Sequence, residues 1–243
     1  MRLLLYIIPM ILVFLVQYVV RLLIFLNKKK DPEKADRICY GFVRFFCRMV
    51  IFLSGSKVEL TGKENLQTDR PVLYVANHQS IFDIILLYAN LKNRTAFIGK
   101  KEIEKVPLLS SWMRLTHSLF LDRENIRAGL KTILSAVDLI KEGYSVAIFP
   151  EGTRNKETDK TTLLEFHGGS FKPAERAGVP VVPIVFHNTS AILEDHKPWI
   201  KASRVKMAVL APVVINELEP RQKKFLADHV RGLMQEKLKE LAQ

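Results

Sequence analysis

A histidine and an aspartate stand five residues apart at His78 and Asp83, and a second polar block, residues 149–154, follows about 70 residues later. A histidine can accept a proton on one ring nitrogen while a carboxylate orients the ring through the other nitrogen. The second block reads Phe-Pro-Glu-Gly-Thr-Arg, in which Gly152 permits a tight turn and Arg154 can bind a phosphate with two donors. Together the two blocks indicate group transfer to an acceptor that carries a phosphate.

The spacing of His78 and Asp83 requires the chain to turn between them. Within one helix, two residues five apart would point roughly 140° away from each other. Residues 72–76 are an apolar run that predicts a strand, and Ser80 is a good N-cap for a helix over 81–90. His78 then lies in the strand-to-helix loop and Asp83 in the first helical turn. The alternative is that Ser80 and Asp83 form a capping pair beside an ordinary loop histidine.

The block at 149–154 follows the apolar run 145–148, so it lies just beyond a predicted strand end, where ligands gather in α/β proteins. The alternative for an isolated block of this kind is an ordinary turn with a surface ion pair between Glu151 and Arg154. The presence of both blocks in one chain favours a functional site.

The two blocks resemble the first and third motifs of the glycerolipid acyltransferase family, most nearly the 1-acyl-sn-glycerol-3-phosphate acyltransferases. Residues 118–123 resemble the second motif and residues 179–184 the fourth, in the same order, and the resemblance covers residues 58–186. It implies transfer of an acyl chain from a thioester to the sn-2 hydroxyl of lysophosphatidate, giving phosphatidate in phospholipid biosynthesis. It implies no cofactor, and acyl-coenzyme A or acyl carrier protein as the source of the acyl chain.

The resemblance also implies a role for each matching residue. His78 would be the general base and Asp83 its orienting partner, while Arg154 would hold the acceptor phosphate. A family lysine matches Lys100, although the neighbouring Lys101 fits the spacing equally well. The full acceptor site implied in this way comprises Lys100, Arg123, Glu151, Gly152, Thr153 and Arg154.

Other chemistry finds little support in the sequence. An acyl-enzyme route is disfavoured because the chain has no Gly-x-Ser-x-Gly elbow. The remaining histidines form no close-spaced ligand set, so we predict no catalytic metal. His167 precedes two glycines, which favours a flexible turn over a functional role. A noncatalytic module that binds anionic lipid stays the alternative to an enzyme, as does an acyltransferase with another lysolipid or glycerol phosphate as acceptor.

The N-terminus predicts a membrane anchor. Residues 3–20 carry no charge, and the apolar stretch continues to Leu26 before three lysines at 28–30. A helix of about 20 apolar residues can cross a bilayer, and the lysines would place the following chain on the cytoplasmic side. Residues 33–54 predict a second helix, apolar yet basic, that suits an interfacial helix or the return limb of a hairpin in one leaflet. The alternative is a helix pair buried in a soluble core.

Composition agrees with a membrane setting. The 243 residues include 48% hydrophobic residues and carry a formal net charge of +12. Basic charge attracts anionic lipid, and we expect no nucleic-acid partner because the chain has no zinc finger, RNA-binding motif or basic zipper. We therefore predict membrane association, in the cell membrane if the source is bacterial, with residues 1–54 as anchor and residues 55–243 as one acyltransferase domain.

The pattern of that domain predicts an α/β fold. Apolar runs alternate with helical patterns, which favours a mixed or largely parallel central sheet flanked by helices. Residues 204–215 predict one or two later strands, and residues 221–241 predict a terminal helix. The predicted strands are 72–76, 95–99, 118–121, 145–149 and 181–186, and the predicted helices between them are 81–92, 125–142 and 170–177.

Overall fold

Apolar runs rich in valine, isoleucine and leucine form the buried centre of a seven-stranded sheet. The structure, a computed structural model, describes residues 2–66, 69–157 and 159–243, with side chains from residue 15 onward. The strands are Lys57–Thr61 (β1), Leu73–Ala76 (β2), Thr95–Lys100 (β3), Leu119–Leu121 (β4), Ser145–Ile148 (β5), Val181–His187 (β6) and Arg204–Val209 (β7). The helices are Arg2–Lys28 (α1), Pro32–Leu53 (α2), Ile81–Asn90 (α3), Pro107–Leu115 (α4), Ile126–Lys141 (α5), Lys172–Ala177 (α6), Pro220–Lys224 (α7) and Leu226–Leu241 (α8).

The strand order across the sheet is β1-β7-β6-β2-β5-β3-β4. The five strands from β6 to β4 are mutually parallel, β7 runs antiparallel to β6, and β1 runs parallel to β7. The sheet is therefore mixed, and the predicted α/β class is confirmed. Because the five parallel strands share one direction, the loops that follow them all leave from the same edge of the sheet.

Each face of the sheet is covered by its own helices. Leu73 and Val75 of β2 pack with α5, α6 and α8, whereas Tyr74 and Ala76 pack with α3 on the opposite face. Alternate side chains of a strand point to opposite faces, so all four residues of β2 are buried. This burial explains why the strand reads as a continuous apolar run.

Two elements were not predicted. Strand β1 carries alternating exposed and half-buried residues at the sheet edge, so it lacks an apolar run. Helix α4 is short and begins at a proline. The predicted terminal helix is divided at Phe225 into α7 and α8, and the predicted helix over 170–177 begins with a 3-10 turn, Gly168–Phe171, before α6.

Helices α1 and α2 form a hairpin, which is one of the arrangements that the sequence left open for the second helix, and Asp31 caps α2. The side chains of residues 3–14, which supply much of the predicted apolar stretch, lie outside the described residues. Among the described residues, no helix has both the length and the apolarity required to cross a membrane.

Helix α2 is fastened to the rest of the fold by polar side chains. Arg44 donates hydrogen bonds to the carbonyls of Leu91 and Lys92, and Arg48 donates to that of Ala89. These carbonyls lie at the C-terminal end of α3, where backbone acceptors lack helical partners. Two of the arginines that make α2 basic therefore bind the end of the helix that carries Asp83.

Candidate active site

The residues singled out from the sequence meet at the carboxyl edge of the parallel strands. His78 follows β2, Lys100 ends β3, Arg123 follows β4, and the block beginning at Glu151 follows β5. Because β2, β5, β3 and β4 are neighbours in that order, four loops from four strand ends form one continuous edge. Ligands of open α/β sheets bind at this edge.

His78 and Asp83 form a hydrogen-bonded pair. The Nδ1 atom of His78 lies 2.8 Å from Oδ2 of Asp83. An ionised carboxylate only accepts, so Nδ1 carries the proton and Nε2 keeps its lone pair. Nε2 bonds no described residue, and the His78 side chain is 16% exposed while that of Asp83 is 0% exposed. The pair thus presents a proton acceptor towards solvent from a buried support.

Asp83 is held by further donors. Its Oδ2 also accepts from the backbone N–H groups of Gln79 and Ser80, each at 2.7 Å, and its Oδ1 accepts from the Thr189 hydroxyl at 2.5 Å. Ser80 caps α3, as predicted. Capping and histidine orientation were alternatives from the sequence, yet a single carboxylate oxygen serves both.

The ring of His78 and its loop are fixed from two other sides. Phe149 stacks on the imidazole with ring centroids 4.1 Å apart. The side-chain amide of Asn77 donates to the Phe186 carbonyl and accepts from the Phe186 N–H, at 2.9 and 2.7 Å. This amide joins the loop to the end of β6, so the His78 backbone has little freedom.

Glu151 lies beneath the His78 loop. It is 4% exposed, and its Oε1 accepts from the backbone N–H of His78 at 3.0 Å. Oε2 has no hydrogen-bond partner among the described residues. Burial raises the pKa of Glu151 to about 7. The N–H groups of His78 and Leu164 have the opposite, smaller effect on this pKa, although the Leu164 N–H is not placed to form a hydrogen bond. Glu151 therefore supports the loop from within, and the alternative of a surface ion pair with Arg154 is wrong.

Gly152 brings the β5 loop against Arg123. Its φ of +72° is in the left-handed region, and a Cβ atom at this position would lie 3.3 Å from Nη1 of Arg123 and 3.2 Å from Nε2 of His167. Arg123 is exposed and makes no hydrogen bond or ion pair with a described residue. Partial burial of the guanidinium lowers the pKa of Arg123, although a guanidinium keeps its charge at neutral pH. An exposed imidazole and an unpaired guanidinium thus flank one glycine.

The two candidate lysines differ in their partners. Nζ of Lys101 lies 2.8 Å from Oδ2 of Asp122, and this contact raises the pKa of Lys101. Lys100 pairs with no described residue. In the parallel register Lys100 lies beside Leu121, two residues before Arg123. The register and the free ammonium favour Lys100 as the ligand of an anion.

Arg154 lies on the His78 side of the same loop. Its Nη1 donates to Oε1 of Glu194 at 2.8 Å. Thr153 is exposed between Gly152 and Arg154, without a side-chain contact to a described residue. The structure thus places every residue of the predicted site at one edge, with Glu151 inside it and the others around it.

Three residues of this edge were missed from the sequence. Thr189 follows β6, so the end of a predicted strand was a usable signal for it. His167 has a glycine-rich context that was interpreted as a flexible turn, yet its ring lies beside Gly152. Glu194 has no sequence signal, because nothing local relates it to the arginine that it binds. Within the described part of the chain, no three or more His, Cys, Asp or Glu side chains are grouped as metal ligands.

Comparison with known proteins agrees with this geometry. The family model described as Acyltransferase matches residues 57–187, more than half of the chain, including both sequence blocks. The chain belongs to the acyltransferase family. The 1-acyl-sn-glycerol-3-phosphate acyltransferase of Salmonella typhimurium is 33% identical over 190 residues, which cover 78% of this chain and 76% of that protein.

Two further relatives extend the comparison. The 1-acyl-sn-glycerol-3-phosphate acyltransferase of Saccharomyces cerevisiae is 30% identical over 82% of this chain, and the match spans 65% of that longer protein. The crystal structure of the 1-acyl-sn-glycerophosphate (LPA) acyltransferase of Thermotoga maritima superimposes with a TM-score of 0.82 at 26% identity, covering 98% of this chain and 92% of that one. Its coverage includes the α1–α2 hairpin, so this acyltransferase shares the whole architecture described above.

Proposed function

We propose that the protein transfers an acyl chain from an acyl thioester to the sn-2 hydroxyl of 1-acyl-sn-glycerol 3-phosphate, giving phosphatidate. The observation that carries the proposal is the His78–Asp83 pair, whose Nε2 lies at the edge where Lys100 and Arg123 pair with none of the residues that the structure describes. A module that merely binds lipid has no need of an oriented base. The names of the relatives support lysophosphatidate as the acceptor.

The geometry supports direct transfer. His78 Nε2 takes the proton of the sn-2 hydroxyl while that oxygen attacks the thioester carbonyl, and Asp83 stabilises the imidazolium that forms. Collapse of the intermediate forms the ester, breaks the carbon–sulfur bond and releases the thiolate, which takes the proton from His78. No residue of the protein is acylated.

The acceptor phosphate would occupy the space between the two sides of the β5 loop. Arg123 and Arg154 offer planar guanidinium donors, and Lys100 adds a third cation. An anion that binds there would supply the first close negative charge for Lys100 and Arg123, which pair with no described residue, and a second one for Arg154, which is already bound by Glu194. Glu151 and Gly152 would shape the loop rather than touch the phosphate, because the first is buried and the second permits close approach of Arg123.

A membrane position for residues 1–54 is part of the proposal. The support is a set of exposed apolar side chains on the outer faces of the hairpin, with Lys28, Lys29 and Lys30 at its turn. The exposed members include Tyr18, Phe25, Phe45, Phe52 and Leu53. Such a surface would hold the protein at an anionic leaflet, with the catalytic domain on the cytoplasmic side.

A direct assay tests the reaction. The purified full-length protein is incubated in detergent micelles with lysophosphatidate and either acyl-coenzyme A or acyl carrier protein loaded with the same chain. Phosphatidate should form with at least one thioester. Parallel reactions with glycerol 3-phosphate and with lysophosphatidylcholine test the other acceptors. Lipid binding without acylation of any acceptor would favour the noncatalytic alternative.

Extraction from membranes tests the anchor. Full-length protein should stay with the membrane fraction in 1 M salt, which would reduce the Debye length to about 3 Å, and should be released by detergent. Protein lacking residues 1–53 should be retained less. Release of folded full-length protein by salt alone would show that charge, not apolar contact, holds the protein at the membrane.

A further inference from the structure

Glu194 connects the loop after β5 to the N-terminus of α3. It begins the 3-10 turn Glu194–His196, which follows β6 and lies outside the four sequence motifs. Its Oε1 accepts from Nη1 of Arg154 at 2.8 Å and from the backbone N–H of Ile81 at 3.1 Å. Its Oε2 accepts from the Ser80 hydroxyl. The Glu194 carboxylate therefore binds both Arg154, the residue proposed to bind the phosphate, and the first residues of the helix that carries Asp83.

The Glu194 carboxylate is firmly held. Its side chain is 13% exposed, and the donors from Ser80 and Ile81 lie at the N-terminus of α3, where a negative charge is stabilised. In addition, Nζ of Lys197 lies 3.9 Å from Oε1 of Glu194. If a phosphate broke the contact between Glu194 and Arg154, Ser80 and Ile81 would still hold the Glu194 carboxylate. Two negative charges would then lie close together. Displacement by the ligand is therefore unfavourable.

The contact leaves most of the arginine free. Only Nη1 of Arg154 bonds to Glu194, and its other guanidinium nitrogens bond to no described residue. A guanidinium presents its donors in a fixed plane, so a carboxylate on one nitrogen sets the direction of the remaining donors. The arginine is oriented while it keeps the donors needed for a second anion.

We propose that Glu194 is a positioning residue that holds Arg154 in register with the His78–Asp83 pair, so that a bound phosphate places the acceptor hydroxyl at Nε2 of His78. The proposal rests on the proposed function, since it assigns the phosphate to Arg154. Residues that fix the orientation of a binding side chain act in this way without touching the substrate.

Steady-state kinetics of the full-length protein tests this role. Glu194→Ala should raise the KM for lysophosphatidate about tenfold, the scale of one hydrogen bond to a charged group, with a smaller loss of kcat and an unchanged KM for the thioester. Glu194→Gln should restore most of the affinity, because its amide oxygen can still accept from Arg154. Asp195→Ala is the matched control. Asp195 is the adjacent carboxylate, accepts from Ser190 and does not contact Arg154, so the acceptor KM should not change.

A double-mutant cycle separates positioning from a general loss of structure. Glu194→Ala should raise the acceptor KM when Arg154 is present and have little further effect in an Arg154→Ala background. A purely structural role would give the same change in both backgrounds. Should Glu194→Ala not fold, Glu194→Asp takes its place, because the shorter side chain cannot reach Arg154 and Ser80 together and should also raise the acceptor KM.

An unchanged or lowered acceptor KM in the folded Glu194→Ala or Glu194→Asp variant would overturn the proposal, and a lowered value would mean that Glu194 competes with the phosphate. Equal effects with and without Arg154 would also overturn it. These outcomes differ from failure of the proposed function, in which the wild-type protein itself acylates no phosphate-bearing acceptor.

Discussion

Asp83 is fully buried and accepts four hydrogen bonds, whereas Arg123, on the far side of the same edge, is exposed and pairs with no described residue. The imidazole of His78 is fixed by Asp83 below and by Phe149 on its face. Lys100, beside the strand that leads to Arg123, is unpaired as well. The half of the edge that holds His78 and Asp83 is complete, because the protein itself makes its hydrogen bonds. The half that holds Lys100 and Arg123 is open, because these cations pair with no described residue.

The difference follows from what each half has to do. A general base contributes only if its ring and tautomer are set before the substrate arrives, so its hydrogen bonds must come from the protein. A phosphate site gains affinity when its cations lack a protein counter-ion, because the ligand then supplies the first close negative charge. Arg154 lies between these two cases, since one of its nitrogens is bound and the others are free.

The largest expected effect comes from the completed half. Replacing the base with His78→Ala should lower kcat by about 100-fold or more, the usual contribution of general base catalysis. Asp83→Asn should also impair turnover, because an amide can bond to Nδ1 in the wrong tautomer. Initial rates at saturating acceptor and thioester measure both effects.

Folding has to be separated from chemistry in that experiment. His78 lies in a loop at the sheet edge, so circular dichroism and thermal unfolding of His78→Ala should resemble those of the wild type. His229→Ala, in α8, provides a histidine control away from the edge. Acylation at a near-normal rate by folded His78→Ala protein would eliminate the proposed base.

The contribution of Glu151, which lies beneath the His78 loop, to the stability of the protein should depend on pH. The folded protein binds the Glu151 proton more tightly than the unfolded chain does, because the pKa rises from 4.5 to about 7. The contribution of this group to the free energy of unfolding is therefore most favourable below pH 4.5 and falls as the pH rises towards 7. Glu151→Gln does not titrate, so its stability relative to the wild type should increase between pH 5 and 8, by on the order of 3 kcal/mol at most.

Urea unfolding of both proteins at a series of pH values measures that difference. Glu165→Gln, an exposed change of the same kind in the following segment, is the control and should track the wild type. If the stabilities of Glu151→Gln and the wild type change in parallel from pH 5 to 8, Glu151 is ionised throughout and its burial has another compensation.

Arg154, which is bound by Glu194 through one nitrogen only, should respond through substrate affinity. Arg154→Lys keeps the charge but loses the planar fork and the contact geometry with Glu194, so the KM for lysophosphatidate should rise about tenfold. Arg154→Ala should raise it further. Rates across a range of acceptor concentrations give these values, with Arg176→Lys, an exposed arginine of α6, as the control. Unchanged dependence on acceptor concentration in both Arg154 variants would return Arg154 to a structural ion-pair role.

The sequence predicted the elements that carry local signals. Strand β2 and helix α3 were predicted because an apolar run precedes a strong capping residue, and the loop between them had to place His78 near Asp83. The carboxyl end of β5 was predicted in the same way. For this reason the His78–Asp83 geometry and the position of Gly152 could be expected before the structure.

Contacts between distant segments could not be predicted. Arg154 was assigned a phosphate or Glu151 as partner, but the chain brings Glu194 to it through the turn after β6. The basic character of residues 33–54 favours an interfacial helix or a hairpin limb, but it does not reveal that Arg44 and Arg48 bind carbonyls at the end of α3. Strand β1 was missed since its place depends on β7 rather than on its own apolar pattern.

The smallest expected effect concerns which of two neighbouring lysines, Lys100 or Lys101, binds the acceptor phosphate, since the spacing in the sequence fits both. Lys100→Ala should raise the KM for lysophosphatidate a few-fold, since one exposed cation contributes up to about 1 kcal/mol. Lys101→Ala should change it less than about twofold, because its ammonium is already paired with Asp122. The two variants differ by one position and remove the same charge from the molecule, so each is the other's control for long-range electrostatics. Measured at low and high salt, the difference between them should shrink as screening increases. A larger rise for Lys101→Ala would mean that its ion pair opens towards the ligand and that the phosphate is bound by the first residue after β3 rather than by the last residue of the strand.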